Sequence, residues 1–269
     1  MRTALKVAYI GTEYNGFKMQ KDLITVESEI ARALKELDLI RNPYDANLMA
    51  AGWTDRNVHA QGQVIAFDTD NPDAAVPRII NARLPSTIWT WAWAHVRPDF
   101  NPGLDAISQE YRYILCGEYN ISQLRNASRL LKGTHDFSNF SMGEKERCGI
   151  CTVEKIEMRV EGDFTIMDIR ADHFLRHMAR KIATAMKMMG RGVREITWLE
   201  QMLNPDEFRE GLESAPGYGL IFKNADYKDI TWKEDQHSRK TIHDNLEERF
   251  LWHGIMAEML KELKENMIS

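Results

Sequence analysis

One carboxylate, Asp55, stands alone in the stretch AAGWTDRNVHAQGQVIAF (residues 50–67). Apolar residues flank it on both sides, Leu48–Ala51 before and Val64–Phe67 after, and the short polar residues Thr54 and Asn57 sit beside it. A single acid held at a sheet edge suits nucleophilic or electrostatic work on one atom. No second acid lies close enough in the sequence to form the acid/base pair of a glycosidase. The plainer alternative is a turn aspartate bonded to its own backbone. Far downstream, Met178, Ile182, Ala185 and Met189 recur at helical spacing, while Arg176, Arg180, Thr184 and Lys187 form a separate polar stripe able to line a cleft. Cys148 and Cys151 form a C-x-x-C with no second pair, which reads as two strand-entry cysteines rather than a metal or redox centre.

These side chains need elements to position them. Residues 2–10 predict a strand ended by Gly11, followed by the Gly-punctuated loop GTEYNGFKMQ. Thr25 offers an N-cap for a helix through Leu37, with Val26, Ile30, Ala33, Leu34 and Leu37 on one stripe. A short strand at 46–52 delivers the Asp55 turn, and 61–68 is the next strand. Asn71-Pro72 starts a helix to about residue 82, strands follow at 87–96 and 106–119, and a helix at 121–132 stops at Gly133. Residues 152–160 and 164–170 read as a hairpin, 174–189 as the best helix of the chain, 195–203 as a shorter helix and 219–222 as a strand. Residues 242–266 predict a charged amphipathic helix that packs late. The mixture lacks a βαβα rhythm and so points to an α+β class with mostly antiparallel sheet. Two lobes are expected, residues 1–105 carrying the acid and 106–269 carrying the terminal helix.

The chain has 269 residues, 43% of them hydrophobic, enough for a sizeable core. No apolar run is long enough to span a membrane, and three cysteines are too few for a secreted disulfide framework, so a cytoplasmic setting is expected. The net charge of −5 hides a local asymmetry. Residues 173–194 carry Arg176, Arg180, Lys181, Lys187, Arg191 and Arg194 without one acid, and residues 121–133 carry Arg125, Arg129 and Lys132, again without one. Such basic faces suit phosphate contact, although solvated helix surfaces have the same composition. No G-x-G-x-x-G or Walker-type loop and no metal-ligand cluster supports a small-molecule enzyme.

AGWTDRNVHAQGQVIAF resembles the A-G-R-T-D-x-G-V-H-A-x-G-Q-V stretch of the TruA family, the tRNA pseudouridine synthases of the anticodon arm. Further segments resemble that family in its own order: YIGTEYNGFKMQ, TVESEIARAL, INARLPSTIWTWAWAHV, YRYIL, GTHDFSNFS, DHFLRHMARKIATAMKMMGRG and APGYGLIF, from residue 9 to residue 222. The resemblance implies a pseudouridine synthase fold with a central cleft, no cofactor, no metal, tRNA as partner and a homodimer bridged by the RNA. It implies that uridine is detached at N1, turned and rejoined through C5, at positions 38, 39 and 40. Asp55 takes the place of the catalytic aspartate; attack on ribose C1′, attack on base C6 and stabilisation of a sugar cation all remain open. Arg180 matches the active-site arginine, which would keep the acid ionised and aimed. Tyr111 matches the active-site tyrosine, a ring for stacking on a flipped-out base and a hydroxyl for proton traffic at C5. Arg125, Arg129 and Lys132, at i, i+4 and i+7, are candidates for phosphate contact. Tyr14, Asn15, Phe17 and Lys18 of the opening loop, with Arg56 and Arg176, are further candidates for reaching RNA; His59 and Gln63 shape the pocket, and His135 and Asp136 build a turn.

The pattern departs from the family at three arginine positions. Trp53, Gln109 and the Gly103-Leu104 pair stand where that family carries basic residues, and Arg56-Asn57 replaces a small pair. Asn57 tolerates the left-handed backbone that glycine would favour there. Trp53 could stack on RNA or obstruct the pocket. An active tRNA-uridine isomerase is therefore the first reading, and a catalytically impaired relative that binds or remodels tRNA is the second.

Overall fold

The computed structural model describes residues 1–143 and 149–267. In chain order the elements are β1 (Arg2–Tyr9), α1 (Val26–Glu36), β2 (Met49–Ala50), β3 (His59–Asp68), α2 (Pro77–Ile80), β4 (Ile88–His95), β5 (Ala106–Cys116), α3 (Ile121–Leu131), β6 (Gly133–Asp136), β7 (Ile150–Glu161), β8 (Phe164–Ala171), α4 (Met178–Gly190), α5 (Ile196–Met202), β9 (Leu220–Tyr227), β10 (Lys233–Glu234) and α6 (Gln236–Asn266). The expected α+β class holds. The strands form one sheet in the order β10-β4-β1-β3-β9-β5-β8-β7-β6, with β2 added beside β3. Among the described residues every strand pairing is antiparallel except one, between β3 and β9, where His59 faces Ile221 and Ala60 faces Phe222. That parallel seam joins the strands of the first half of the chain to those of the second.

Period-two alternation on β1 sets the two faces of the sheet. Leu5, Val7 and Tyr9 enter the main core, which continues through α1, α3, α4 and α5. Ala4 packs with Ala66 and Phe100 in one smaller cluster, and Ala8 with Trp89 and Ile242 in another. α1 forms as its sequence dictates: Thr25 and Ser28 close a reciprocal capping box, and Val26, Ile30, Ala33 and Leu34 are buried.

Two elements sit differently from expectation. α6 begins at Gln236, capped by Asp235, and its first turns pack on β4 and α2, while β10 pairs with β4. The terminal helix, expected with the second lobe, thus belongs to the first half of the sheet. It packs only at its start: Ile242 is buried, whereas Trp252, Ile255, Met259 and Leu263 are exposed. α4 starts at Met178 instead of residue 174, because His177 before it has φ +66, a left-handed conformation that no helix interior accepts. Cys148 lies outside the described residues.

Candidate active site

The Asp55 turn leaves β2 and enters β3, and it is braced from four directions. The Ala51 amide donates to the Val64 carbonyl at 2.8 Å, and the Phe17 amide donates to the Thr54 carbonyl at 2.9 Å. Buried Gln63 donates through Nε2 to the Gly52 carbonyl at 2.9 Å, and Gln109 does the same to the Ala51 carbonyl at 3.1 Å. The Thr54 hydroxyl shares a 2.7 Å hydrogen bond with the buried phenol of Tyr9. The turn closes with the Val58 amide on the Asp55 carbonyl, and Asn57 takes φ +67, as its residue type allows. A Cβ on Gly217 would lie 2.4 Å from the Arg56 carbonyl, so the APGYGL segment comes against this turn at glycine distance.

α4 brings the cation. Arg180 Nη1 lies 2.7 Å from Asp55 Oδ2, and its Nε donates to the Ala215 carbonyl at 2.6 Å. One guanidinium therefore ties the acid to the APGYGL segment in a charge-assisted geometry. Its side chain is only 15% exposed, against 28% for Asp55, so the pair keeps limited contact with solvent. His177 adds a second contact, Nε2 at 3.3 Å from Asp55 Oδ1, while its Nδ1 lies 2.7 Å from the Ser214 hydroxyl. Burial pushes the His177 pKa below its ordinary value, opposed by the Asp55 charge and reinforced by Arg180. The hydrogen bond between Nδ1 and the Ser214 hydroxyl fixes the ring orientation that presents Nε2 to the carboxylate.

Tyr111 completes the arrangement from β5. Its ring sits edge-on between Phe174, at 4.8 Å between centroids, and Phe222, at 4.9 Å. Among the described residues its hydroxyl has no hydrogen-bond partner, and Gly52 of the turn lies beside it. Burial pushes the phenol well above its ordinary pKa, with Tyr9 and Asp55 adding in the same direction. Three distant segments thus converge: an acid from the 50–58 turn, a cation from α4 and a phenol from β5.

The other expected residues divide into two groups. Lys18, Arg56 and Arg176 are exposed, the last two next in sequence to Asp55 and His177. Trp53 is 61% exposed, with Lys18 Nζ 3.7 Å over its ring, and it lines a groove with Tyr44, Met49 and Asn101. It therefore turns outward and does not plug the Asp55 pocket. Arg125 and Arg129 are exposed on α3, but Lys132 is the extended cap residue, so the three do not continue one helical face. Gln63 is buried and holds Gly52 of the Asp55 turn. His59 accepts from the Gly11 amide at 3.3 Å and sits in the β3–β9 seam, where burial lowers its pKa. Asp136 accepts from the Ser138 amide, and His135 Nε2 lies 3.1 Å from the Lys132 carbonyl, so both brace a turn.

Tyr14 and Phe17, expected to reach RNA, are instead core residues. Phe17 is wholly buried against Tyr9, and the Tyr14 hydroxyl bonds Thr87 at 2.7 Å. Their loop is drawn inward by the backbone bonds that hold Thr54. Phe17→Ala is expected to lower stability by about 3–5 kcal/mol, read by denaturant unfolding, while the folded fraction binds RNA as before. His177 and Ser214 escaped the sequence reading, although His177 lies three residues before Arg180 in the same quoted segment.

Comparison with known proteins shows the family to which the chain belongs. The family described as tRNA pseudouridine synthase matches residues 127–228. The tRNA pseudouridine synthase A of Methanosarcina mazei is 51% identical over 265 residues, covering 98% of this chain and 98% of that one. The chain belongs to the tRNA pseudouridine synthase A family. Other members are the proteins of Methanosarcina acetivorans, 48% identical over 98% of both chains, and Archaeoglobus fulgidus, 39% identical over 100% of both. Membership in the tRNA pseudouridine synthase A family makes the protein an isomerase of tRNA uridine. No helix among the described residues is long and apolar enough to cross a membrane.

Proposed function

We propose that this chain converts uridines 38, 39 and 40 of the tRNA anticodon stem-loop to pseudouridine, as a cytoplasmic homodimer, with Asp55, Arg180 and Tyr111 as its reactive set. The observation that carries this reading is the 2.7 Å pair between Arg180 and Asp55 beside the Tyr111 hydroxyl. In the reaction the N1–C1′ bond breaks, the base turns, C5 bonds to C1′, and the C5 proton is lost as N1 gains one, so the product is an isomer. Asp55 supplies the negative charge that the cationic sugar left by cleavage requires, and Arg180 and His177, one at each oxygen, keep the carboxylate aimed. Tyr111 keeps its proton at neutral pH, so it serves as a ring wall and hydrogen-bond donor, and the Asp55 carboxylate takes the C5 proton. Extruding the base costs a few kcal/mol. Lys18, Arg56, Arg176, Arg125 and Arg129 supply phosphate contacts that hold the opened stem.

The absence of arginine at 53, 103–104 and 109 favours the second reading, a tRNA binder without catalysis. Incubation of purified protein with an unmodified, 5-tritiated tRNA transcript separates the two. Tritium release mapped to the anticodon arm supports the isomerase; binding without release on every tRNA tried supports the binder.

A further inference from the structure

We infer a metal site, apart from the reaction, in which Cys151, His173 and Asp172 hold a zinc-class divalent ion where β7 begins and β8 ends. The three donor types meet in one place: one ligand atom from each lies within 4.8 Å of the others. Cys151 Sγ is 3.3 Å from His173 Nε2. A tetrahedral zinc with its usual sulfur and nitrogen bonds needs those two atoms about 3.5 Å apart, so a shift of a few tenths of an ångström admits the ion. Thiolate, imidazole and carboxylate together select zinc or a similar borderline cation over calcium or magnesium.

The surroundings already have the form that such a site requires. His173 Nδ1 lies 3.0 Å from Asp172 Oδ1, which puts the carboxylate beside the imidazole. The same oxygen accepts from the Thr152 amide at 3.0 Å and the His173 amide at 2.7 Å, so backbone donors hold the carboxylate in place. The sulfur comes from the buried side and the other two donors from the half-exposed side, so an ion has both an anchor and an entry path. His135 faces Cys151 across the β6–β7 pair, but its ring is turned to the Lys132 carbonyl and is no part of the set.

The site has a structural consequence. His173 lies four residues before His177 and seven before Arg180, on the segment that carries both partners of Asp55. An ion clamping residues 172–173 to residue 151 fixes the start of that segment from the strand side. The site does not depend on the isomerase reading, and its test uses no catalytic readout.

The full chain, without an affinity tag, is stripped with a chelator and titrated with zinc, then with cobalt(II). The expected result is about one ion bound per chain, with a melting temperature that rises on loading, and a sulfur-to-cobalt charge-transfer band. Cys151→Ser removes that band, and His173→Ala weakens binding about tenfold or more. The His173 side chain is 46% exposed, so its replacement leaves folding intact and decides the matter should Cys151→Ser fail to fold. A chain that takes up no zinc, affinity unchanged in His173→Ala, or Cys151 recovered in a disulfide from protein purified without reductant each overturns the site.

Discussion

Asp55→Ala is expected to lower pseudouridine formation by about 10³-fold or more while leaving the fold intact. The residue supplies the only carboxylate in contact with Arg180 and His177 among the described residues, so nothing nearby replaces its charge. The cost in stability is smaller. Removing the acid strands a guanidinium that still donates to the Ala215 carbonyl and keeps some water, so about 1–2 kcal/mol is lost, below the figure for a fully buried pair. Asp55→Asn keeps the shape and removes the charge, and the same loss of activity is expected from it. Tritium release in single turnover and thermal unfolding followed by circular dichroism measure the two effects. Activity within tenfold of the parent in both variants removes Asp55 from the chemistry.

Arg180→Lys comes next in size, a fall of about 10²-fold in turnover, with substrate binding nearly unchanged. Charge is kept in that variant, but one ammonium cannot bridge Asp55 Oδ2 and the Ala215 carbonyl as the guanidinium does through Nη1 and Nε. The acid then keeps its cation and loses its aim. Arg180→Met, of similar length and uncharged, is expected to fall a further tenfold or so. Separate determination of kcat and KM checks the claim, because a role confined to phosphate contact would raise KM and spare kcat.

The legible parts of the molecule were those where local chemistry and tertiary packing agree. α1 announces itself through Thr25 and its stripe, and the β7–β8 hairpin through its turn residues. Asp55, Tyr111 and Arg180 stand out in the sequence because motifs resembling the family's carry those residues, and the structure brings the three together. Tyr14 and Phe17 misled for a physical reason: aromatic residues in a Gly-rich loop look available, and only the long-range bond from the Phe17 amide to Thr54 turns them inward. α6 misled in the opposite way. Its apolar positions suggest a packed helix, yet the sheet is wide enough to cover only the first turns. The two-residue strand β10 has too few residues to establish a period. His177 was hidden because its left-handed backbone is set by tertiary contacts with Ser214 and Asp55, not by its neighbours in sequence.

The parallel seam has a consequence for how the protein is made. Ala60 and Phe222, partners across β3 and β9, are about 160 residues apart. At translation rates of about 5–20 residues per second, the ribosome takes about 8–30 s to supply the second after the first. Through that interval the start of β3, beyond the residues that β2 covers, is an open edge, a template for pairing with a stranger. Its acid waits a shorter time, about 6–25 s, for the arginine that aims it, 125 residues further on. The newborn chain is therefore both incompetent and sticky until β9 is synthesised, and a chaperone that shields that edge would raise the yield of active protein more than one that acts after release.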